Sequence, residues 1–201
     1  MNLIRLATTT STMDAARDLP LGWAVLADQQ SAGVGRLGRA WESPPGTGLL
    51  ASFVLPRHPL ASLAAGVAAA SVCGEEVRLK WPNDLLLGGG KAGGILIVAR
   101  PDAAIVGVGL NLTWAPPGGA MLGLSREPLL VSLWSALEVW LRAPAEKVIS
   151  AWEERSETIG RWVRVEGGDS SFEGRAEGLS ADGSLIVEGR KVSVGDVIHL
   201  R

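Results

Sequence analysis

The sequence contains no tyrosine and only one cysteine, Cys73, among its 201 residues. A single cysteine excludes an internal disulfide, so a reducing compartment, the cytoplasm, is the expectation. There is no excess of basic charge: 19 Lys and Arg face 21 Asp and Glu, for a net charge of -2. That balance argues against a nucleic-acid surface and so against DNA as a partner. No long hydrophobic run is present either. The longest, from Leu60 to Cys73, is rich in Ala and Ser and too short to span a bilayer, and it reads as a buried helix. The opening MNLIRLATTTSTMD lacks the apolar core of a secretory signal. The missing tyrosines stand beside eight tryptophans, and no functional reading follows from that.

What is present is a chain that is 47% apolar, enough for one domain of about 150 residues and a small appendage. Strands are expected over Asn2–Ala7, Trp23–Ala27 and Gly48–Leu55, with a short helix opening at Ser11 and ending before Pro20. Pro59–Cys73 reads as a helix packed on a sheet. Short strands follow around Val77–Lys80, Leu85–Leu87, Gly94–Ala99 and Ala104–Leu110, separated by turn residues. Trp114–Gly123 is rich in Pro and Gly and is expected to be a mobile loop. Helical periodicity marks Glu127–Leu141 and Ala145–Ile159. After Gly160 the texture changes to short apolar strands with Gly- and Asp-containing turns, Ala181-Asp182-Gly183-Ser184 among them, which suggests a small β-barrel. The expected division is residues 1–158 and 159–201.

Four segments carry residue types suited to chemistry. Gln30-Ser31-Ala32-Gly33-Val34-Gly35-Arg36-Leu37-Gly38-Arg39-Ala40-Trp41 combines three glycines with two arginines. Glycines allow close backbone approach, exposed N–H groups can cradle an anion, and guanidinium forks suit carboxylate or phosphate. Gly33-x-Gly35-x-x-Gly38 matches a dinucleotide fingerprint in form, but Glu42-Ser43-Pro44-Pro45 does not continue as a helix. On spacing alone a solvated surface loop fits as well. Lys80-Trp81-Pro82-Asn83-Asp84 and Lys91-Ala92-Gly93-Gly94 form the second segment; strand pairing would bring Asp84 and Lys91 to one end of a hairpin, although an ordinary turn with solvent-facing lysines satisfies the same residues. Ser11-Thr12 suits a helix cap or a ligand at a helix start. Asn111, ending Gly107-Val108-Gly109-Leu110, offers a donor and an acceptor to a ring edge, or simply to a turn.

Taken in order, Ser11-Thr12, QSAGVGRLGRAW, KWPND, KAGGILI and GVGLNL resemble the biotin–protein ligase family from about residue 8 to the C-terminus. The resemblance implies an α+β fold: a mixed sheet backed by helices, class II synthetase-like, with a C-terminal SH3-like barrel. It implies a short form, without the N-terminal winged-helix DNA-binding domain of some members. It implies that biotin reacts with ATP to give biotinyl-AMP, with Mg²⁺ on the ATP phosphates and no protein-held metal, and that biotin then passes to a lysine of a biotin carboxyl carrier protein. Under this resemblance Arg36, Lys91, Lys80 and Asp84 are the catalytic candidates. Ser11, Thr12, Gln30, Gly33, Val34, Gly35, Arg36, Lys91 and Gly94 would meet biotin or its adenylate, and Asn111 and Trp114 the adenine end. Val34 departs from the family loop, which commonly has arginine there. Gly94–Ala99 as a sheet edge would allow a homodimer. Two other readings compete: a lipoate or octanoate ligase or transferase, and a non-enzymatic biotin-binding regulator.

Overall fold

The computed structural model describes residues 1–167 and 170–200. Its larger sheet has seven strands in the order β1-β2-β3-β7-β6-β5-β4. These are β1 Asn2–Thr9, β2 Trp23–Gln30, β3 Gly48–Leu55, β4 Arg78–Lys80, β5 Asp84–Leu87, β6 Gly90–Ala99 and β7 Ala104–Asn111. Only β1 and β2 run parallel; every other neighbour is antiparallel. That mixture fits the connections: the chain between β1 and β2 includes the short helix α1, Thr12–Ala15, whereas β5, β6 and β7 follow one another through tight turns.

One face of the sheet is covered by α2, Ala61–Cys73, α3, Arg126–Trp140, and α4, Ala145–Glu154. Helix α2 is rich in alanine and almost wholly buried, as a helix wedged between a sheet and two other helices must be. In α3, Leu130, Leu133, Trp134 and Leu137 recur on one face and are buried. Trp134 meets Phe53 of β3 with ring centroids 6.0 Å apart. The face opposite the helices carries α1 and a small apolar cluster of Ala16, Val25, Val54, Ala103 and Ile105. The cavity described below opens on that second face.

The C-terminal strands are β8 Trp162–Gly167, β9 Ser170–Leu179, β10 Leu185–Val187, β11 Arg190–Val192 and β12 Asp196–His199. They form an antiparallel sheet in the order β11-β10-β9-β8-β12. The expected barrel is corrected here: among the described residues β11 and β12 stand at opposite edges, and the sheet is not closed. The mixed α+β character stands. Two joints bind the C-terminal sheet to the rest. Leu79 exchanges backbone hydrogen bonds with the segment 155–157, and Trp81, 3% exposed, donates its backbone N–H to Thr158 Oγ1 and its indole N–H to the Gly183 carbonyl.

Three local expectations change. Helix α4 stops at Glu154 rather than Ile159, because Ser156 Oγ accepts the N–H groups of Thr158 and Ile159 while the chain turns to pair with Leu79. Strand β6 is not an edge strand along its first half: Gly90–Gly94 pairs with β5 on one side and meets Gly119 (from Lys91) and β7 (from Gly93 and Gly94) on the other. Since β5 begins at Asp84, opposite Gly94, the residues from Leu96 to Ala99 pair with β7 alone. The 114–123 loop, finally, is pinned over its second half. Ala120 N–H donates to the Lys91 carbonyl, Leu122 to Asn111 and Gly123 to Leu112.

Candidate functional site

A cavity of about 350 Å³ lies over the helix-free face of the large sheet, between the glycine–arginine loop, the Trp81–Asp84 corner and the start of β12. Its floor is made by glycines. A methyl group at Gly109 would sit 2.6 Å from the Trp41 indole, and one at Gly94 would sit 3.4 Å from the same ring. Any side chain at Gly109 would therefore expel Trp41, which lies flat on the sheet there. Trp41 Nε1 is buried and is the one buried side-chain polar atom without a partner among the described residues.

At one end stand Ser11, Thr12 and Gln30. Ser11 Oγ accepts the Met13 N–H at 3.2 Å and so caps α1. Asp14 takes no part in that cap; it pairs with Arg17. Gln30 Oε1 accepts both the Thr12 N–H at 2.7 Å and the Thr12 hydroxyl at 3.0 Å, and Ser52 donates to Thr12 Oγ1 at 2.8 Å. Gln30 is thereby fixed, and all three residues line the cavity. Gly33 does not line it. It is buried behind Gln30, where a Cβ would meet Gln30 Nε2 and the Trp41 carbonyl, both at 2.8 Å.

At the other end stand Asp84 and Lys91, joined by an ion pair of 2.6 Å between Nζ and Oδ1. A slip in the β5–β6 ladder produces this meeting: Leu85 faces Gly93 but Leu86 faces Lys91, so Ala92 is the extra residue of a bulge. Without it, Lys91 would point to the other face of the sheet. Lys91 Nζ also lies 5.6 Å from the centre of the Trp41 ring. Lys80 lines the cavity from the end of β4. Asn83, read from sequence only as part of a turn, donates to the Ile95 carbonyl at 2.8 Å and faces Arg36 at 3.5 Å.

The loop between β2 and β3 closes the cavity from above. It folds on itself through Gly35 N–H to the Arg39 carbonyl and Trp41 N–H to the Gly33 carbonyl. Val34, Gly35, Arg36 and Arg39 all line the cavity. Arg36 Nη2 donates to the Gly195 carbonyl at 3.2 Å, and Arg39 pairs with Asp196 at 2.6 Å. Four cations (Arg36, Arg39, Lys80, Lys91) and three acids (Asp84, Glu166, Asp196) surround the space. Such a site suits a ligand that is apolar in its middle and anionic at one end.

Two expected adenine contacts lie elsewhere. Asn111 does not line the cavity; it is 4% exposed and donates its amide to the carbonyls of Lys91 and Ala120, which straps the 114–123 loop onto β6. Trp114 lines a shallower adjoining recess with Gln30, Ala40 and Trp41. Sequence reasoning missed Trp41 and Asp196 as site residues. The available signal for Trp41 was the pair of glycines, Gly94 and Gly109, that face it across neighbouring strands. Behind the Trp81 corner, Thr158 Oγ1 lies 3.1 Å from His199 Nε2. Burial, with Lys80 and Arg161 adding to it, holds the His199 ring down at about 4, so it is neutral near pH 7. Among the described residues no group of three or more His, Cys, Asp or Glu side chains is arranged to hold a metal, and no helix is long and apolar enough to cross a membrane.

Residues 3–111 match the family described as the biotin/lipoate A/B protein ligase family, and residues 158–200 match the biotin protein ligase C-terminal domain. The biotin--[acetyl-CoA-carboxylase] ligase of Paracoccus denitrificans is 33% identical to this chain, over 92% of this chain and 93% of that protein. The bifunctional ligase/repressor BirA of Escherichia coli is 32% identical over 90% of this chain, which spans 66% of that protein. Among solved structures, the biotin protein ligase from Aquifex aeolicus in complex with biotin and ATP superposes with a TM-score of 0.85 at 27% identity, covering 100% of this chain and 99% of that one.

Proposed function

This chain belongs to the biotin/lipoate A/B protein ligase family, and on that premise we propose that its cavity binds biotin and ATP and that the enzyme is a biotin–protein ligase. It activates biotin with ATP to biotinyl-AMP and transfers biotin to a lysine of a biotin carboxyl carrier protein. The observation that carries this reading is the convergence of Arg36, Lys91, Asp84 and Trp41 on one glycine-floored cavity whose far end presents Ser11, Thr12 and Gln30.

In this reading the polar head of biotin meets Ser11, Thr12 and Gln30, and its apolar chain crosses Gly94 and Gly109 beside Trp41. Its carboxylate arrives near Lys91 and Arg36. Both reactants of the first step are anions, so the site must offset their repulsion and the charge that grows on the phosphates. Lys91 is placed for that task, held by Asp84 at 2.6 Å; Arg36 and Lys80 add to the field. The carboxylate oxygen attacks the α-phosphorus and pyrophosphate leaves. Asp84 is then the acid nearest to an incoming carrier lysine once phosphate competes for Lys91, and it orients that amine as it attacks the acyl carbon and AMP departs. Mg²⁺ would come with the ATP phosphates, since among the described residues no group of three or more His, Cys, Asp or Glu side chains is arranged to hold a metal. The adenine lies toward the recess at Trp114 rather than on the Asn111 side chain. ATP as a substrate fits the cytoplasm. Residues 96–99, paired on one side only, offer an edge to a second copy of the chain.

The test is pyrophosphate release on mixing the protein with biotin and ATP, followed by transfer of labelled biotin to a carrier domain. Turnover with octanoate but not with biotin would move the assignment to the lipoate branch. Biotin binding without any pyrophosphate would leave a regulator rather than an enzyme.

A further inference from the structure

One contact at the cavity serves no step above: Asp196, the first residue of β12, reaches from the C-terminal sheet to both arginines of the glycine loop. Its Oδ2 accepts from Arg39 Nη2 at 2.6 Å, and its Oδ1 lies 3.8 Å from Arg36 Nη1. The preceding carbonyl, of Gly195, accepts from Arg36 Nη2. A carboxylate between two guanidinium groups offers them anionic oxygens of the kind that a phosphate would. We propose that Asp196 is a positioning residue that clasps the glycine–arginine loop when no nucleotide is bound and yields Arg36 and Arg39 to the nucleotide phosphates, so that the C-terminal sheet sets the affinity of the site for ATP. This rests on the reading of the cavity as a biotin and ATP site.

The loop has few other restraints. Its own hydrogen bonds close a small hairpin, and its central Leu37 is 72% exposed, so no apolar side chain anchors it at the tip. Ordering such a segment costs backbone entropy at every residue, and the Asp196 clasp is a charge-assisted contact that offsets part of it. Arg39 is 63% exposed at its side chain while Asp196 is 28% exposed. A phosphate can therefore approach Arg39 from solvent and displace the carboxylate without disturbing the sheet beneath. The clasp thus subtracts from nucleotide affinity and gives a loop already poised over bound biotin.

The experiment uses the full chain and its Asp196→Asn and Asp196→Glu variants, with three readouts: titration with α,β-methylene-ATP, KM for ATP against kcat in pyrophosphate release, and hydrogen exchange of the amides of residues 35–41 without ligand. Asn keeps the shape and removes the charge, so the analogue should bind about three- to fivefold more tightly and KM for ATP should fall alike, with kcat within about twofold, as expected for removing one partly exposed ion pair. The loop amides should exchange faster in the ligand-free variant, and Glu should restore both behaviours. Arg39→Gln, which opens the clasp from the other side, should speed the same amides and guards against a fold defect peculiar to position 196. Unchanged or weaker analogue binding in Asp196→Asn, or unchanged loop exchange in both Asp196→Asn and Arg39→Gln, overturns the proposal. The exchange measurement needs no turnover, so a parent enzyme that released no pyrophosphate would sink the functional reading without deciding the clasp.

Discussion

Asp84 and Lys91 stand on adjacent, hydrogen-bonded strands, and a β-bulge aims the lysine into the cavity. Arg36 and Arg39 stand on a loop whose cations are held by groups from a different sheet, Asp196 and Gly195. The same charge type is thus delivered in two ways, one rigid and one borrowed. Strand-mounted groups keep their place through the reaction and suit electrostatic work on a transition state. Loop-mounted groups can exchange partners and suit capture and retention of a ligand.

The sharpest way to break this contrast is Lys91→Ala. If the strand-mounted lysine is preorganised for adenylation, its loss should slow pyrophosphate release by about 10²–10³-fold. Thermal stability should hardly move, because the Lys91 side chain is 45% exposed and such an ion pair contributes about 0–1 kcal/mol. A rate within a few-fold of the parent in stopped-flow or steady-state assays would make Lys91 a surface lysine.

Arg36→Gly should act on the other half and differently. The expected loss is on the order of 1.5–3 kcal/mol of contact with the intermediate, seen mainly as faster release of biotinyl-AMP, with a smaller slowing of the first step. Retention of labelled adenylate through rapid gel filtration distinguishes the two. Equal dissociation from parent and variant would place Arg36 outside the site.

The contrast also explains what could be read from sequence. Strand positions and helix α3 follow from period-2 and period-3.6 patterns, α2 follows from an unbroken Ala-rich apolar run, and the loop announces itself through Gly33, Gly35 and Gly38. The meeting of Asp84 with Lys91 was legible as a hairpin end, but the bulge at Ala92 that makes it work was not, since a one-residue register slip has no compositional mark. The open C-terminal sheet was read as a barrel because closure depends on pairing between β11 and β12, which strand count does not specify. Asp196 lies 157 residues from Arg39, and no local pattern links them. Asn111 was misplaced because its buried amide serves two carbonyls, a job that any turn asparagine could have had.

Acid should loosen the joint between the two sheets. His199 is held at about 4 in the folded protein, below its usual 6.5, chiefly by burial. The unfolded chain therefore binds the proton first as pH falls, and stability should decline from about pH 6.5 down to about pH 4 and level off below. Protonation places a charge beside Thr158, which accepts the Trp81 N–H, and beside Lys80. Melting curves at pH 7 and pH 5 should differ by a few degrees more in the parent than in His199→Gln. Identical pH dependence in the two would show that His199 is not the titrating group.

The smallest effect is expected at Val34, where the resemblance of the loop implied an arginine. Val34 is 47% exposed, lines the cavity and pairs across the loop with Ala40. With about half of the residue exposed, it adds little to the ordering of the loop. An arginine there would have room, because the residue is already about half exposed, and it would bring a third cation to the loop beside Arg36 and Arg39. Since that cation would stay largely solvated, Val34→Arg should tighten biotinyl-AMP binding only by about two- to fivefold, with a steeper dependence on salt than the parent shows. Lys91→Ala in the same background should remain slow, because a cation on a mobile segment cannot replace one fixed on a strand. Rescue of the Lys91→Ala rate by Val34→Arg would erase the distinction between the two halves of the site.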